Sequence, residues 1–215
     1  FALYPHVFIE WVRDNAKNLK SGAFLTDVTG VKSGVVERVQ ALLPKGMEFV
    51  GAHPMAGREV SGVENAKPDL FKNANYIVTP TPTNTEAGIQ LCEALGKAIG
   101  AGSISRLTPK EHDEMIGFLS QLTHCIAVAL MTCTESRHLV DYTGDSFRDL
   151  TRIAKINENM WTELFLWNRE ELLEQMDLFL NHFASLRDAL KNGDEETMKN
   201  MMRLSTERRR YFDKP

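Results

Sequence analysis

The sequence is poor in cysteine, with 3 in 215 residues, and Cys92, Cys125 and Cys133 form neither a C-x-x-C pair nor a cluster with histidine at metal-ligand spacing. A scattered, odd-numbered set argues against a closed disulfide framework and gives no structural zinc site. It reads as three reduced core thiols in a cytoplasmic protein. An excess of one charge is also lacking: 25 Lys and Arg stand against 29 Asp and Glu, a formal net charge of -4. Such a surface has no long-range attraction for nucleic acid or for an anionic membrane, so neither is expected as a partner. The densest basic run, Arg208-Arg209-Arg210, lies at the C-terminal end of an expected helix, where cations complement the helix dipole. No stretch approaches roughly 18 uninterrupted apolar residues, the length of a membrane span. The opening FALYPHVFIEWVRD has no basic segment ahead of an apolar one, as an export signal would. The zinc-protease, serine-hydrolase, Walker A and EF-hand motifs are absent as well, and no metal site is expected. So is the dinucleotide fingerprint G-x-G-x-x-G. Its nearest approach, Gly100-Ala101-Gly102-Ser103, lacks the third glycine and precedes an expected strand instead of following one.

What is present falls into two halves. Up to about Leu107, short apolar runs alternate with amphipathic ones, the mark of strands alternating with helices around a mostly parallel sheet. The spacing predicts helices over 8–20, 32–43 and 85–99, and strands over 23–27, 48–52, 76–79 and 103–107, with a long loop over 51–69 that contains Gly51, Gly57 and Gly62. Beyond Leu107 the apolar period moves toward 3.6 and stays there. Thr108-Pro109-Lys110-Glu111 is a capping box opening a long helix, whose expected core stripe is Met115, Leu119, Leu122, Ile126 and Leu130. The pattern breaks over 141–152 and resumes as helices over 159–167, 169–192 and 195–212, with Asn192-Gly193 as a stop. The fold class is therefore α/β followed by all-α, with a boundary near Arg106: residues 1–106 and 107–215.

Four features can carry chemistry: the turn from Asp27 to Lys32, the loop from His53 to Gly57, the pair Ser120 and His124, and the run from Phe147 to Lys155. His53 lies just past an expected strand end, the edge where ligands bind in open parallel sheets. A histidine there can accept a proton near neutral pH, or fix a loop by hydrogen bonds. Ser120 and His124, four apart, share one helix face and form either a site or a satisfied core pair. Arg152, flanked by Leu150, Ile153 and Ala154, is expected to be partly buried and to need an anion, which could be Glu59 or a substrate carboxylate.

The stretch His-Pro-Met-Ala-Gly-Arg-Glu-Val-Ser-Gly over 53–62 resembles the signature of the prephenate dehydrogenase family. Asp27 to Lys32 resembles that family's strand-end motif, Ser-Gln-Leu-Thr-His over 120–124 its helix motif, and Phe-Arg-Asp-Leu-Thr-Arg-Ile-Ala over 147–154 its arginine motif. The four stand in family order and spacing and cover nearly the whole chain. The resemblance implies that residues 1–106 are the C-terminal part of a Rossmann-like dinucleotide-binding domain, and that 107–215 form a helical domain for substrate binding and homodimerisation. It implies oxidative decarboxylation of prephenate with NAD or NADP in tyrosine biosynthesis, with arogenate dehydrogenase as the alternative within the family. A module that has kept the pocket but lost the cofactor is the alternative outside it.

In residue terms the resemblance implies that His53 draws the proton of the substrate hydroxyl and that Arg152 holds a carboxylate of a small dicarboxylate substrate. His124, Ser120, Thr29 and Gly30 would line the substrate pocket. Glu59 facing Arg152, and Asp113 facing Arg148, would be gate-like ion pairs. Asp27, Thr29 and Pro54 would stand at the cofactor. The sequence departs from the family in having Gly30, with Thr29 beside it, where a serine is common. It also begins at Phe1 without the glycine turn, and in this form it is expected to bind a dinucleotide weakly and to turn over little.

Overall fold

The computed structural model describes residues 1–57, 62–135 and 137–213. Its strands and first helices follow from the apolar spacing. Helix α1 (Pro5–Asn15) starts with proline, whose missing N–H costs nothing in a first turn, and buries Phe8, Ile9 and Val12 on one face. A single 3-10 turn, Ala16–Asn18, follows it. Strand β1 (Phe24–Thr26), helix α2 (Ser33–Leu42) and strand β2 (Glu48–Pro54) form one β-α-β unit, with β1 and β2 parallel. Strand β3 (Asn75–Thr79), helix α3 (Glu86–Ala98) and strand β4 (Ser103–Arg106) form a second, with β3 and β4 parallel.

The two units meet through an antiparallel pairing of β2 with β3, in which His53 stands opposite Ile77 and Pro54 opposite Tyr76, and the sheet order is β1-β2-β3-β4. The sheet is therefore parallel except at its centre. The reason lies in the connections: parallel neighbours need a crossover helix, which α2 and α3 supply, whereas the described residues between β2 and β3 contain only a 3-10 turn, Val63–Asn65.

Strand β2 is buried on both faces. Phe49 joins Phe8, Val12, Leu25, Val35, Val36 and Val39 under α1 and α2. Its neighbours Val50 and Ala52 join Tyr76, Val78, Ile89 and Cys92 under α3. Each fully buried side chain of this size stabilises the fold by about 1.5–3 kcal/mol relative to exposure. Because side chains alternate along a strand, Phe49, Gly51 and His53 share the α2 side. The strand runs two residues beyond its expected end, so His53 belongs to the sheet and not to the following loop.

The capping box forms as expected: Glu111 N donates to Thr108 Oγ1 while Thr108 N donates to Glu111, opening α4 (Pro109–Ile116). The helix then passes through a π-helical turn, Gly117–Leu122, into α5 (Thr123–Thr132). The wider turn changes the phase of the helix. Of the expected stripe only Leu122 is fully buried; Leu119 is exposed, and the buried face carries His112, Asp113, Ile116, Gly117 and Gln121. By length and composition Pro109–Thr132 could cross a membrane. Its buried Asp113 and Gln121 side chains are bonded to other elements of the domain.

Helix α6 (Asp145–Thr151), a 3-10 turn (Arg152–Ala154), α7 (Glu158–Trp167), α8 (Arg169–Asn192) and α9 (Glu195–Arg209) complete the chain. Helix α6 falls where the sequence pattern breaks and was not expected there. Gly193 ends α8 in the left-handed region, φ 68°, that glycine adopts without strain. The chain divides into two compact units, residues 1–172 and 173–215. Of the cysteines, Cys92 is buried, Cys125 is half-buried and Cys133 is exposed, so Cys133 is not a core residue.

Candidate active site

Helix α2 begins without a capping side chain of its own: its N-cap, Lys32, makes no such bond. The cap comes from α4. Asp113, buried, accepts from Lys32 N at 2.8 Å through Oδ1 and from Ser33 N at 2.7 Å through Oδ2. A carboxylate at this end also complements the helix dipole. His112 is fully buried beside it, with Nδ1 2.7 Å from Asp113 Oδ1 and Nε2 2.9 Å from Nδ1 of His53. The two imidazole rings meet edge to face, with centroids 5.1 Å apart. A row of three side chains thus runs from the α2 N-terminus through α4 to the end of β2.

Burial first, then the neighbouring His112 and Lys32, holds His53 well below the ordinary imidazole range. Burial also lowers His112, although its bond to Asp113 opposes the shift. Both rings are therefore neutral at pH 7, and His53 is a partly buried base in the proton-accepting form.

A second polar cluster lies beneath this one. Asp27 and Lys32 are both fully buried and pair at 2.6 Å; Asp27 also accepts from Ala52 N and Thr29 N, each at 3.0 Å, and from the Thr29 hydroxyl. Lys32 Nζ donates to Thr29 Oγ1 at 3.1 Å. Burial pulls the ammonium below its ordinary value, against the pull of Asp27. The cluster ties the β1–α2 turn to β2. Asp27 and Thr29 face inward, and the side chains are spent on these internal bonds, as a buried carboxylate requires. Pro54 is likewise buried, at the end of β2.

Gly30 faces the base. A β-carbon built on it would stand 3.9 Å from His53 Cε1 and 3.7 Å from both methyl carbons of Leu164. Leu164 lies on α7, and Trp161, one turn earlier on the same face, stacks on the His124 ring with centroids 3.7 Å apart. His124 Nδ1 donates to the Ser120 carbonyl at 2.8 Å, inside the π-helical turn. One face of α7 thus joins the surroundings of His53 to His124. The turn carrying Arg152 packs against α5, the helix that carries His124. Arg152 itself is exposed, contrary to the expected partial burial, because Ile153 and Ala154 are the residues of that turn that pack inward.

Asp113 and Arg148 do not meet. Both oxygens of Asp113 are taken by α2 and His112, whereas Arg148, exposed on α6, pairs with Asp145 at 3.0 Å and donates to the Thr143 carbonyl at 3.0 Å. Glu59 lies outside the described residues. His112 and Lys32 were not assigned roles from sequence. The available signal was a His-Asp pair just inside a capping box, on the side of the helix opposite the exposed Lys110 and Glu114.

Residues 2–105 match the family described as prephenate dehydrogenase, nucleotide-binding domain, and residues 108–204 the one described as prephenate dehydrogenase, dimerization domain. A prephenate dehydrogenase of Bacillus subtilis is 33% identical over 179 residues, 81% of this chain and 48% of its own length. One of Lactococcus lactis is 34% identical over 190 residues, 84% of this chain and 51% of its own length. The chain thus spans about half the length of these relatives. Among solved structures, the prephenate dehydrogenase of A. aeolicus in complex with hydroxyphenyl propionate and NAD+ superposes with a TM-score of 0.88 at 29% identity, covering 99% of this chain and 75% of that one.

Proposed function

The chain belongs to the prephenate dehydrogenase family, and from that premise we propose that it contributes the base and substrate-holding side chains of an NAD- or NADP-dependent oxidative decarboxylation of prephenate. The observation that carries this reading is the neutral, partly buried imidazole of His53, placed beside the side-chain-free Gly30 at the end of β2. His53 takes the proton of the ring hydroxyl as the carbon bearing it is oxidised. Loss of the ring carboxylate as carbon dioxide leaves its electron pair to the ring, which becomes aromatic, and the proton returns to the oxygen as the phenol forms. The dinucleotide, when bound, supplies the hydride acceptor.

Of the residues present, Gly30 fits the nicotinamide end, since a flat ring can approach a backbone without a side chain. No residue of this sequence is assigned to the pyrophosphate. Arg152 orients a carboxylate of the substrate, and His124, Ser120 and the Trp161 ring shape the rest of its surroundings. The same reading divides the chain near residue 106, places the protein in the cytoplasm, and pairs two copies through the helical part. Support for pairing comes from the match to a dimerization domain and from the exposed Leu173, Leu178, Leu180 and Phe183 of α8.

The test is dinucleotide reduction with prephenate and with arogenate, by the protein and by His53→Asn. The expected result is a 10²–10⁴-fold lower kcat, the usual range of about two to four decades for a lost general base, with KM little changed. Equal turnover by the variant would remove His53 from the chemistry.

A further inference from the structure

The bond between the two imidazoles fixes more than a distance. A carboxylate only accepts hydrogen bonds, so the proton between His112 and Asp113 sits on His112 Nδ1. A neutral imidazole carries one proton, which leaves His112 Nε2 as an acceptor. The ring nitrogen of His53 that lies 2.9 Å from it, Nδ1, must then be the donor. The lone pair of His53 is thereby placed on Nε2, the nitrogen on the side of the ring away from His112. Asp113 cannot turn away, because the first two amides of α2 hold both of its oxygens. Among the described residues, the charged groups that act on the two rings are Asp113 from α4, Lys32 from the start of α2 and Asp27 from the end of β1, and the Lys32 ammonium is engaged by Asp27 and Thr29.

We infer that His112 is the positioning residue of the reaction: anchored by Asp113 and the α2 N-terminus, it holds His53 in the Nδ1–H tautomer, so that Nε2 is the proton acceptor. This rests on the reading of His53 as the base. His112 touches no substrate; it acts through its neighbour, as an outer hydrogen bond to a catalytic or metal-bound histidine commonly does. An alternative tautomer of His53 would point an N–H where a lone pair is required. The cost would fall on turnover and not on substrate binding.

Two substitutions separate positioning from packing. The amide of asparagine reaches as far as Nδ1 of the ring it replaces, and so can keep the bond to Asp113 while losing His53. Glutamine reaches as far as Nε2, and can accept from His53 while donating toward Asp113. We expect His112→Asn to lower kcat by about 10–100-fold with KM within about threefold, and His112→Gln to recover most of that loss. The ¹⁵N resonances of the His53 ring at neutral pH provide a readout independent of turnover. They should show a protonated Nδ1 and an unprotonated Nε2 in the unaltered chain and in His112→Gln, and a mixture of tautomers in His112→Asn. An unchanged His53 tautomer in His112→Asn, or equal turnover in the two variants, would overturn the inference. Turnover that survives His53→Asn would instead overturn the reading on which it rests.

Discussion

The indole of Trp167 lies so close over Gly34 that a β-carbon on the glycine would stand 2.7 Å from its Cζ3 and 2.9 Å from its Cε3. Gly34 is in the first turn of α2 and Trp167 is the last residue of α7, so the contact joins the α/β half of the first unit to its helical half. Arg38, one turn further along α2, places its guanidinium 4.8 Å from the centroid of the same indole. Both contacts come from α2, and the indole also packs against the core cluster to which α2 contributes.

Gly34→Ala sets two effects against each other. Alanine favours a helix interior by roughly 0.5–1 kcal/mol. Forcing an added carbon into a packed contact costs roughly 1–3 kcal/mol. Because the atoms met belong to a rigid ring packed against the core, the second effect should prevail, and thermal unfolding of Gly34→Ala should come several degrees lower. Trp167→Leu in the same chain should remove much of the penalty that the alanine adds. A Tm at or above that of the unaltered protein would show that the indole yields at little cost.

The pair of Asp27 and Lys32 calls for a different calculation. Both are fully buried, and removing one charge leaves the other without its partner, which typically costs about 3–5 kcal/mol. Lys32→Met should therefore lower the urea midpoint severely. Asp27→Asn added to it should restore part of the loss, since an asparagine oxygen can still accept from Ala52 N while no charge remains. A Lys32→Met penalty under about 1 kcal/mol would mean that the pair does not hold the β1–α2 turn.

Which parts of this were legible in the sequence depended on whether the signal was local. The period-2 and period-3.6 patterns located the strands of the described residues and the long helices, because burial is written into spacing. The capping box at Thr108 and the stop at Gly193 were equally local. The antiparallel pairing of β2 and β3 was not, since it depends on what connects them. The π-helical turn at Gly117–Leu122 was hidden because an extra residue in a turn leaves the composition unchanged while moving every later side chain around the axis. His53 was visible by residue type and place, but His112 was not: its importance comes from a partner 59 positions away. Asp113 caps a helix 80 residues distant, and no spacing rule announces that. Arg152 shows the reverse error. Its neighbours in sequence suggested partial burial, and the fold leaves it exposed.

The histidine pair also makes a prediction about stability against pH. In the folded chain burial lowers both His53 and His112 from the ordinary value of 6.5, so the folded protein leaves them unprotonated where the unfolded chain binds a proton on each. Stability rises with pH wherever the unfolded state holds more protons, so here it must fall as pH drops below about 6.5, toward the lower folded values. Each proton is worth about 1.4 kcal/mol per pH unit, giving a slope of up to about 2.7 kcal/mol per unit for the pair. Carboxylates such as Glu86, Glu93 and Glu111, which are held below the ordinary 4.5, act only at lower pH and leave the window from 7 to 5 to other groups. Lys32, lowered from 10.5, has its effect on the alkaline side. Urea unfolding at pH 7, 6 and 5 should therefore show a steep loss in the unaltered protein and a shallower one when both histidines are replaced, His53→Asn with His112→Gln. Parallel lines for the two proteins would mean that the rings accept protons in the folded state as readily as in the unfolded one, and that the neutral base assigned to His53 is wrong.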